Sequence, residues 1–144
     1  MFFREISFGT EPYRGACALR DAVLRAPLGL PMSADDLQGE ADQLHFGLFT
    51  GAGELLACVI AIAVSENCAK VRQTAVSPAY QRQGLGRRIM RELESELAER
   101  NFTSLFLHAR STAVDFYEKL GYDTVGDEFI EITIPHRKMV KQLA

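Results

Sequence analysis

The sequence predicts an α/β protein in which about four helices flank a mixed, mostly antiparallel β-sheet. One observation is an amphipathic helix whose apolar residues recur every four positions, at Leu85, Ile89, Leu93 and Leu97. This helix lies between two strand-like segments, and a strand–helix–strand succession favours a parallel strand pair with a right-handed connection. A second observation is a series of three earlier apolar segments separated only by short turns, which is typical of antiparallel strands.

Composition limits the classes of protein to consider. The 144 residues, 47% apolar and 24% charged, fit one soluble globular domain spanning residues 1–144. The net charge of −3 argues against nucleic acid and anionic membranes as partners, although it allows a local basic pocket. No apolar run is long enough to span a membrane, and Arg4 and Glu5 interrupt the N-terminus too early for a signal peptide, so we expect a cytoplasmic protein. The three cysteines lack metal-like spacing, so we expect reduced core thiols and no metal site.

The N-terminal third predicts one strand and two helices. Residues 2–8 carry spaced phenylalanine and isoleucine side chains and predict the first strand. Pro12 suits the first turn of a helix, which we expect to end near Pro27. Ser33, with Asp36 three places later, fits the capping box of a second, shorter helix that runs to about residue 43.

Three further segments predict an antiparallel meander. The strands are expected at residues 44–49, 54–64 and 69–76. In the last of them we expect Val71, Gln73 and Ala75 to share one face, because side chains alternate along a strand.

The C-terminal half predicts the parallel partner strand and a last helix. Residues 103–109 form the fifth strand, which follows a left-handed helix cap at Asn101. Thr112 and Asp115 have capping-box spacing, and Gly121 suits the end of the helix that they begin. The side chains expected to face the core from this helix are Ala113, Phe116, Tyr117 and Leu120.

A loop between the fourth strand and the long helix is rich in glycine and arginine. Gly84 and Gly86 stand where a capping side chain is expected, and Arg82, Arg87 and Arg88 surround the positive end of the helix dipole. Bare N–H groups, the helix dipole and guanidinium groups together suit a bound polyphosphate. The alternative is a solvated basic surface turn.

Two motifs connect this loop with a known family. The pattern Gln81-x-x-Gly84-x-Gly86, after residues 75–78 and Tyr80, resembles the acyl-CoA pyrophosphate loop of the GNAT superfamily of N-acetyltransferases. Residues 113–122 are similar to the GNAT segment that packs against the CoA arm. Two further segments, LRxxVLRxPLGL at residues 19–30 and IPHxxM at residues 134–139, resemble a small bacterial GNAT group, in which glycine usually stands at the position of Thr133.

The resemblance implies a GNAT fold whose fourth and fifth strands splay apart to admit the pantetheine of acetyl-CoA. It also implies an N-acetyltransferase in which a primary amine attacks the thioester directly in a ternary complex. The implied cofactor-binding residues are Thr74, Ala75, Val76, Gln81, Arg82, Gln83, Gly84, Leu85, Gly86, Arg87, Arg88, His108, Phe116 and Tyr117.

The resemblance assigns catalytic and acceptor roles as well. The Val76 N–H polarises the carbonyl, and Tyr117 protonates the leaving thiolate or only holds the sulfur. Glu131 or His136 accepts the amine proton, directly or through water, unless positioning alone suffices. For the acceptor side it implies Arg25 and Leu28 together with Glu131, and Arg20 is a further candidate; His45 and His108 are weaker candidates for the base.

Several alternatives stay open at this point. A catalytically weak acyl-CoA sensor or interaction module of the same fold would carry the same loop. The acceptor is a small-molecule, peptide or protein amine, and the chain is a monomer or a homodimer. The acyl-chain preference has no sequence signal that we recognise.

Overall fold

Seven strands form one sheet in the order β1-β2-β3-β4-β5-β7-β6 in a computed structural model that describes residues 1–143. Only β4 and β5 pair in parallel, and every other neighbouring pair is antiparallel. Ala144, the last residue of the predicted domain, lies outside the described residues. The strands are β1 Phe2–Ile6, β2 Leu44–Phe49, β3 Leu55–Ala63, β4 Cys68–Val76, β5 Ser104–Arg110, β6 Asp123–Glu131 and β7 Ile134–Gln142. The predicted mixed sheet with parallel fourth and fifth strands is confirmed.

Within residues 1–143 three α-helices flank this sheet, where about four were predicted. They are α1 Glu11–Arg20, α2 Leu85–Glu99 and α3 Val114–Lys119. A π-helical turn at Asp21–Arg25 and a 3₁₀ turn at Ala26–Leu28 continue α1 to the region of Pro27, where its end was expected. None of the helices formed by residues 1–143 has the length and apolar content needed to cross a membrane.

The core has two layers, one on each face of the sheet. The predicted stripe of α2, from Leu85 to Leu97, is at most 5% exposed and packs with α3 on one face. On the other face α1 packs Tyr13 and Ala16 against Phe49 and Cys58. Both faces of the central strands are therefore buried, as a sheet between two helical layers requires.

A β-bulge interrupts β4 close to its C-terminal end. Cys58 pairs with Ala75 but Ile60 pairs with Arg72, so β4 has one residue more than β3 in this interval. Gln73 adopts the left-handed conformation with φ of 52°. The extra residue reverses the alternation, so Val71 lies in the α2-side cluster and Ala75 in the α1-side cluster. The prediction that Val71, Gln73 and Ala75 share one face was wrong for this reason.

The predicted helix after Ser33 was also wrong. The Ser33 N–H donates to Asp36 Oδ2 at 2.8 Å, so part of the capping pattern forms, but residues 34–39 make turns and only Glu40–Asp42 is a 3₁₀ helix. Gly39 has φ of 81°, which ends the helical path. The turns place Glu40 in a buried ion pair with Arg20.

The C-terminal third differs from the prediction in two respects. α3 begins at Val114 without a side-chain cap, so Thr112 does not form the expected capping box, and Phe116 is 38% exposed instead of facing the core. β6 and β7 form a hairpin whose turn lacks the residues typical of turns. Its turn residues, Ile132 and Thr133, have φ of 49° and 64°, the left-handed pair of a type I′ turn.

Candidate active site

The sheet opens between β4 and β5. The two strands pair only between residues 68–71 and 104–107, and after that point the bulge turns β4 away from β5. A cavity of about 150 Å³, here called the strand gap, lies in this opening, and Thr74, His108 and Tyr117 are among the residues that line it. The splayed strands expected from the sequence are therefore present.

The backbone of β4 presents an N–H donor where it separates from β5. The Ser77 N–H donates to the Leu56 carbonyl of β3 at 2.8 Å. Successive N–H groups of a strand point to opposite sides, so the Val76 N–H faces away from β3. On that side β5 no longer pairs with β4, and Val76 lines the cavity described next.

At one end the gap meets a cavity of about 580 Å³ at the N-terminus of α2, here called the mouth. Gly84 caps α2 with φ of 78° and no side-chain bond, and a Cβ built there would meet nothing within 4 Å. The Gln81 side-chain amide donates to the Val76 carbonyl at 3.2 Å and ties the loop to the end of β4. The residues lining the mouth are Val76, Gln81, Arg82, Gly84, Leu85, Gly86, Arg87, Ala113 and Phe116.

Three of the residues predicted to bind cofactor lie elsewhere. Gln83 is exposed and outside the lining of the mouth. Arg88 lies outside the lining of the mouth, but it lines a neighbouring cavity of about 350 Å³ together with Gly84 and Arg87, and its Nη1 is 3.6 Å from the Met1 sulfur. Ala75 is buried in the α1-side cluster and lines neither the mouth nor the strand gap.

On the α1 face of the sheet the strand gap meets a second cavity, of about 450 Å³, here called the acceptor cavity. Leu24, Arg72 and His108 line both it and the gap. Arg25, predicted from the sequence, also lines this cavity, whereas Leu28 does not. Arg20 is not a substrate contact, because it is fully buried in its ion pair with Glu40.

Glu131 joins two histidines in the acceptor cavity. Its Oε1 lies 2.9 Å from His108 Nδ1, and its Oε2 lies 3.7 Å from His136 Nε2. His136 Nδ1 lies 2.9 Å from the Ile134 carbonyl. Ionised carboxylate and carbonyl oxygens only accept hydrogen bonds, so both Nδ1 atoms carry protons. A neutral His108 therefore leaves its Nε2 free to accept a proton.

Tyr117 lies between the mouth and the core. Its ring packs edge-on against Phe116 and Tyr122, with centroid distances of 5.0 and 5.7 Å. Burial raises the pKa of the Tyr117 phenol, and the neighbouring Thr74 hydroxyl opposes this shift only in part. The group is therefore a protonated phenol at neutral pH, which is the form that a general acid requires.

A buried polar network supports the bulge from the α1 side. Arg20 binds both carboxylate oxygens of Glu40, at 3.0 and 2.6 Å, and its Nε donates to Gln73 at the bulge. Burial alone would raise the pKa of Glu40, but the hydrogen bonds from Arg20 and Tyr13 hold it below its ordinary value. His45 donates to the Glu40 carbonyl and lies in this network, outside the lining of the acceptor cavity. Burial lowers the pKa of His45.

Sequence reasoning missed most of the residues that line the acceptor cavity, and four of them matter for the charge and shape of the site. They are Leu24, Lys70, Arg72 and Arg110. The signal available in the sequence was the pair of basic residues at alternate positions of a strand whose other face is apolar. The cavity that Lys70 and Arg72 line is bounded by the turns that follow α1, at residues 21–28. Those turns have no clear sequence pattern, so the cavity could not be predicted.

Comparison with known proteins adds the family. Residues 32–143 match the sequence model of the acetyltransferase (GNAT) domain. The chain is 30% identical over 135 residues to a Bacillus subtilis (strain 168) protein named as an acetyltransferase, covering 88% of this chain and 87% of that relative. It superposes on a crystal structure from Lactobacillus plantarum, assigned as an N-acetyltransferase, with a TM-score of 0.85, 25% identity and 100% coverage of both chains. An aminoglycoside 6′-N-acetyltransferase complexed with coenzyme A gives a TM-score of 0.79 at 17% identity, covering 100% of this chain and 98% of that chain.

Proposed function

Because this chain belongs to the GNAT acetyltransferase family, we propose that it is an N-acetyltransferase that transfers the acetyl group of acetyl-CoA to a primary amine by direct attack in a ternary complex. One observation carries the proposal, namely that the mouth, the strand gap and the acceptor cavity lie next to one another and share lining residues. Ala113 lines both mouth and gap, and His108 lines both gap and acceptor cavity. A thioester and an amine that enter from opposite faces can therefore meet at the gap.

The mouth fits the diphosphate of a CoA ester. The open space at Gly84 lets a ligand approach the unpaired N–H groups of the first turn of α2. Arg82 and Arg87 border the same space and supply positive charge. When bound, acetyl-CoA supplies the thioester carbonyl carbon that the amine attacks.

Two groups assist this attack, the Val76 N–H at the mouth and Tyr117 at the strand gap. The Val76 N–H donates to the carbonyl oxygen as that oxygen gains negative charge, and the loss of one such donor costs on the order of 10²–10³ in rate in other enzymes. Tyr117 donates its phenolic proton to the sulfur as the carbon–sulfur bond breaks, since its raised pKa keeps it protonated until then. Solvent then returns a proton to the Tyr117 oxygen.

His108 is the base that the geometry favours. Its Nε2 is free to take the proton that the amine loses, while Glu131 accepts the hydrogen bond from Nδ1 and fixes the orientation of the ring. The sequence had placed the base at Glu131 or His136. Since the Glu131 carboxylate already accepts from His108, we infer that Glu131 is a positioning residue for this base.

Two measurements test the proposal together. At about 100 times its dissociation constant, acetyl-CoA should add roughly 2.7 kcal/mol of stability, enough to raise the melting temperature by several degrees. A thiol-release assay over a panel of amines should then give steady turnover. His108→Gln should keep the thermal shift but lose at least about 10² in kcat. A thermal shift without thiol release from any amine would instead favour an acyl-CoA sensor, and no shift at all would refute the proposal.

A further inference from the structure

The acceptor cavity is positively charged, although the whole chain has a net charge of −3. Four basic side chains line it, against two carboxylates. The cations are Arg25, Lys70, Arg72 and Arg110, and the carboxylates are Asp36 and Glu131.

Both carboxylates of the acceptor cavity already contact basic side chains. Asp36 pairs with Arg25 at 2.9 Å, and Glu131 accepts from His108. Arg72 and Arg20 both form ion pairs with Glu40, so a single carboxylate offsets only one of these two positive charges. The four cations therefore outnumber the two carboxylates of the lining, and the cavity keeps an excess of positive charge.

Two of the cations have no acidic partner of their own. In the part of the chain that the structure describes, neither Lys70 nor Arg110 has a carboxylate within 4.0 Å. Arg110 donates only to the Leu24 carbonyl, at 2.6 Å.

An amine reaches the enzyme largely as an ammonium ion. The positively charged lining of the acceptor cavity repels this ion unless the acceptor also carries negative charge. We propose that the acceptor is a small amine that also bears a carboxylate or phosphate group, and that Lys70 and Arg110 bind this group. The inference rests on the proposed acetyltransferase function. A cavity of about 450 Å³ suits a small molecule, and its positive surroundings also lower the pKa of the bound amine, which favours the nucleophilic neutral form.

Matched amines test the charge requirement. At saturating acetyl-CoA, kcat/KM from thiol release is compared for β-alanine and propylamine, for O-phosphoethanolamine and ethanolamine, and for spermidine as a polycation. At least one anionic amine should exceed its uncharged-tail partner by about tenfold or more. The two pairs distinguish a carboxylate preference from a phosphate preference. Equal or better use of the partner amines or of spermidine overturns the proposal, as does failure of every anionic amine while acetyl-CoA binds.

Variants of Lys70 test the assigned contact. Lys70→Glu should lower kcat/KM for the preferred anionic amine by about tenfold or more through KM, while its matched neutral amine loses nothing. Lys70→Gln gives the same direction with less risk to folding. The control is Lys119→Glu, the same charge change at an exposed residue outside the acceptor cavity, which should leave the preference intact. An equal effect of Lys70→Glu on both amines would contradict the assignment.

Calorimetric titration with acetyl-CoA on the same samples distinguishes failure of the proposed acetyltransferase function from failure of the proposed anionic acceptor. If acetyl-CoA does not bind, the proposed function fails and this inference fails with it. If acetyl-CoA binds and the neutral amines are acetylated as well as the anionic ones, only the inference about the acceptor is wrong.

Discussion

The Glu40→Gln substitution should destabilise the protein strongly, although it changes one atom of a side chain. Arg20 and Glu40 are both 0% exposed, and four hydrogen bonds converge on the Glu40 carboxylate: two from Arg20, one from Tyr13 at 2.7 Å and one from Arg72 at 3.2 Å. Replacing the carboxylate with an amide leaves the Arg20 charge buried without a counter-charge. Breaking one partner of a buried pair costs about 3–5 kcal/mol. The melting temperature should fall on the order of 10 °C.

Chemical denaturation of wild type and variant measures this loss directly. The matched control is Glu54→Gln, because Glu54 also accepts a tyrosine hydroxyl, that of Tyr80 at 2.8 Å, but is exposed. This control should change the free energy of unfolding by no more than about 0.5 kcal/mol. Removing both charges in Arg20→Met/Glu40→Leu should cost less than the sum of the two single variants. If Glu40→Gln costs as little as Glu54→Gln, the network does not contribute as we argue.

Three further predictions concern catalysis, acid stability and the hairpin. Tyr117→Phe should lower kcat by about tenfold or more at unchanged acetyl-CoA affinity; a kcat within about threefold, under roughly 1 kcal/mol, would make Tyr117 structural. The folded pKa of His45 lies below the unfolded value of 6.5, so the unfolded state binds protons more readily and stability should fall as the pH drops below about 6.5. Urea denaturation should show a smaller fall in His45→Gln, and identical pH profiles would refute this. Thr133→Gly should raise the free energy of unfolding by about 1 kcal/mol, because it relieves a left-handed β-branched residue. The control Thr112→Gly, at an ordinary φ, should not stabilise, and a loss of stability in Thr133→Gly would show that the turn is unstrained.

Features that depend on local chemistry were predictable from the sequence. The apolar stripe of α2 specifies a helix with one buried face, and Gly84 before it specifies an open, uncapped helix start. The strand–helix–strand order then fixes the parallel pairing of β4 and β5. Together these place the mouth beside the strand gap.

Features that depend on long-range contacts were not predictable. The pattern after Ser33 forms part of its capping bonds, but Gly39 and the burial of Glu40 against Arg20 prevent a helix. The hairpin turn at residues 132–133 has no asparagine or glycine, so pairing of its strands must impose the turn. The contact of His108 with Glu131 joins β5 to β6, which are not neighbours in the sheet. No local pattern encodes such a contact.

We expect acetyl-CoA to pass from the mouth into the strand gap, and calorimetric titration of the Ala113→Phe variant measures whether it does. Ala113 lines both spaces, so a phenyl ring there should obstruct the passage. Thr112→Phe adds the same ring at the exposed neighbouring position. We predict that Ala113→Phe weakens acetyl-CoA binding by about 100-fold, or roughly 2.7 kcal/mol, with an unchanged melting temperature of the free protein, and that Thr112→Phe binds like wild type. Wild-type affinity in Ala113→Phe would show that acetyl-CoA does not pass from the mouth into the strand gap beside Ala113.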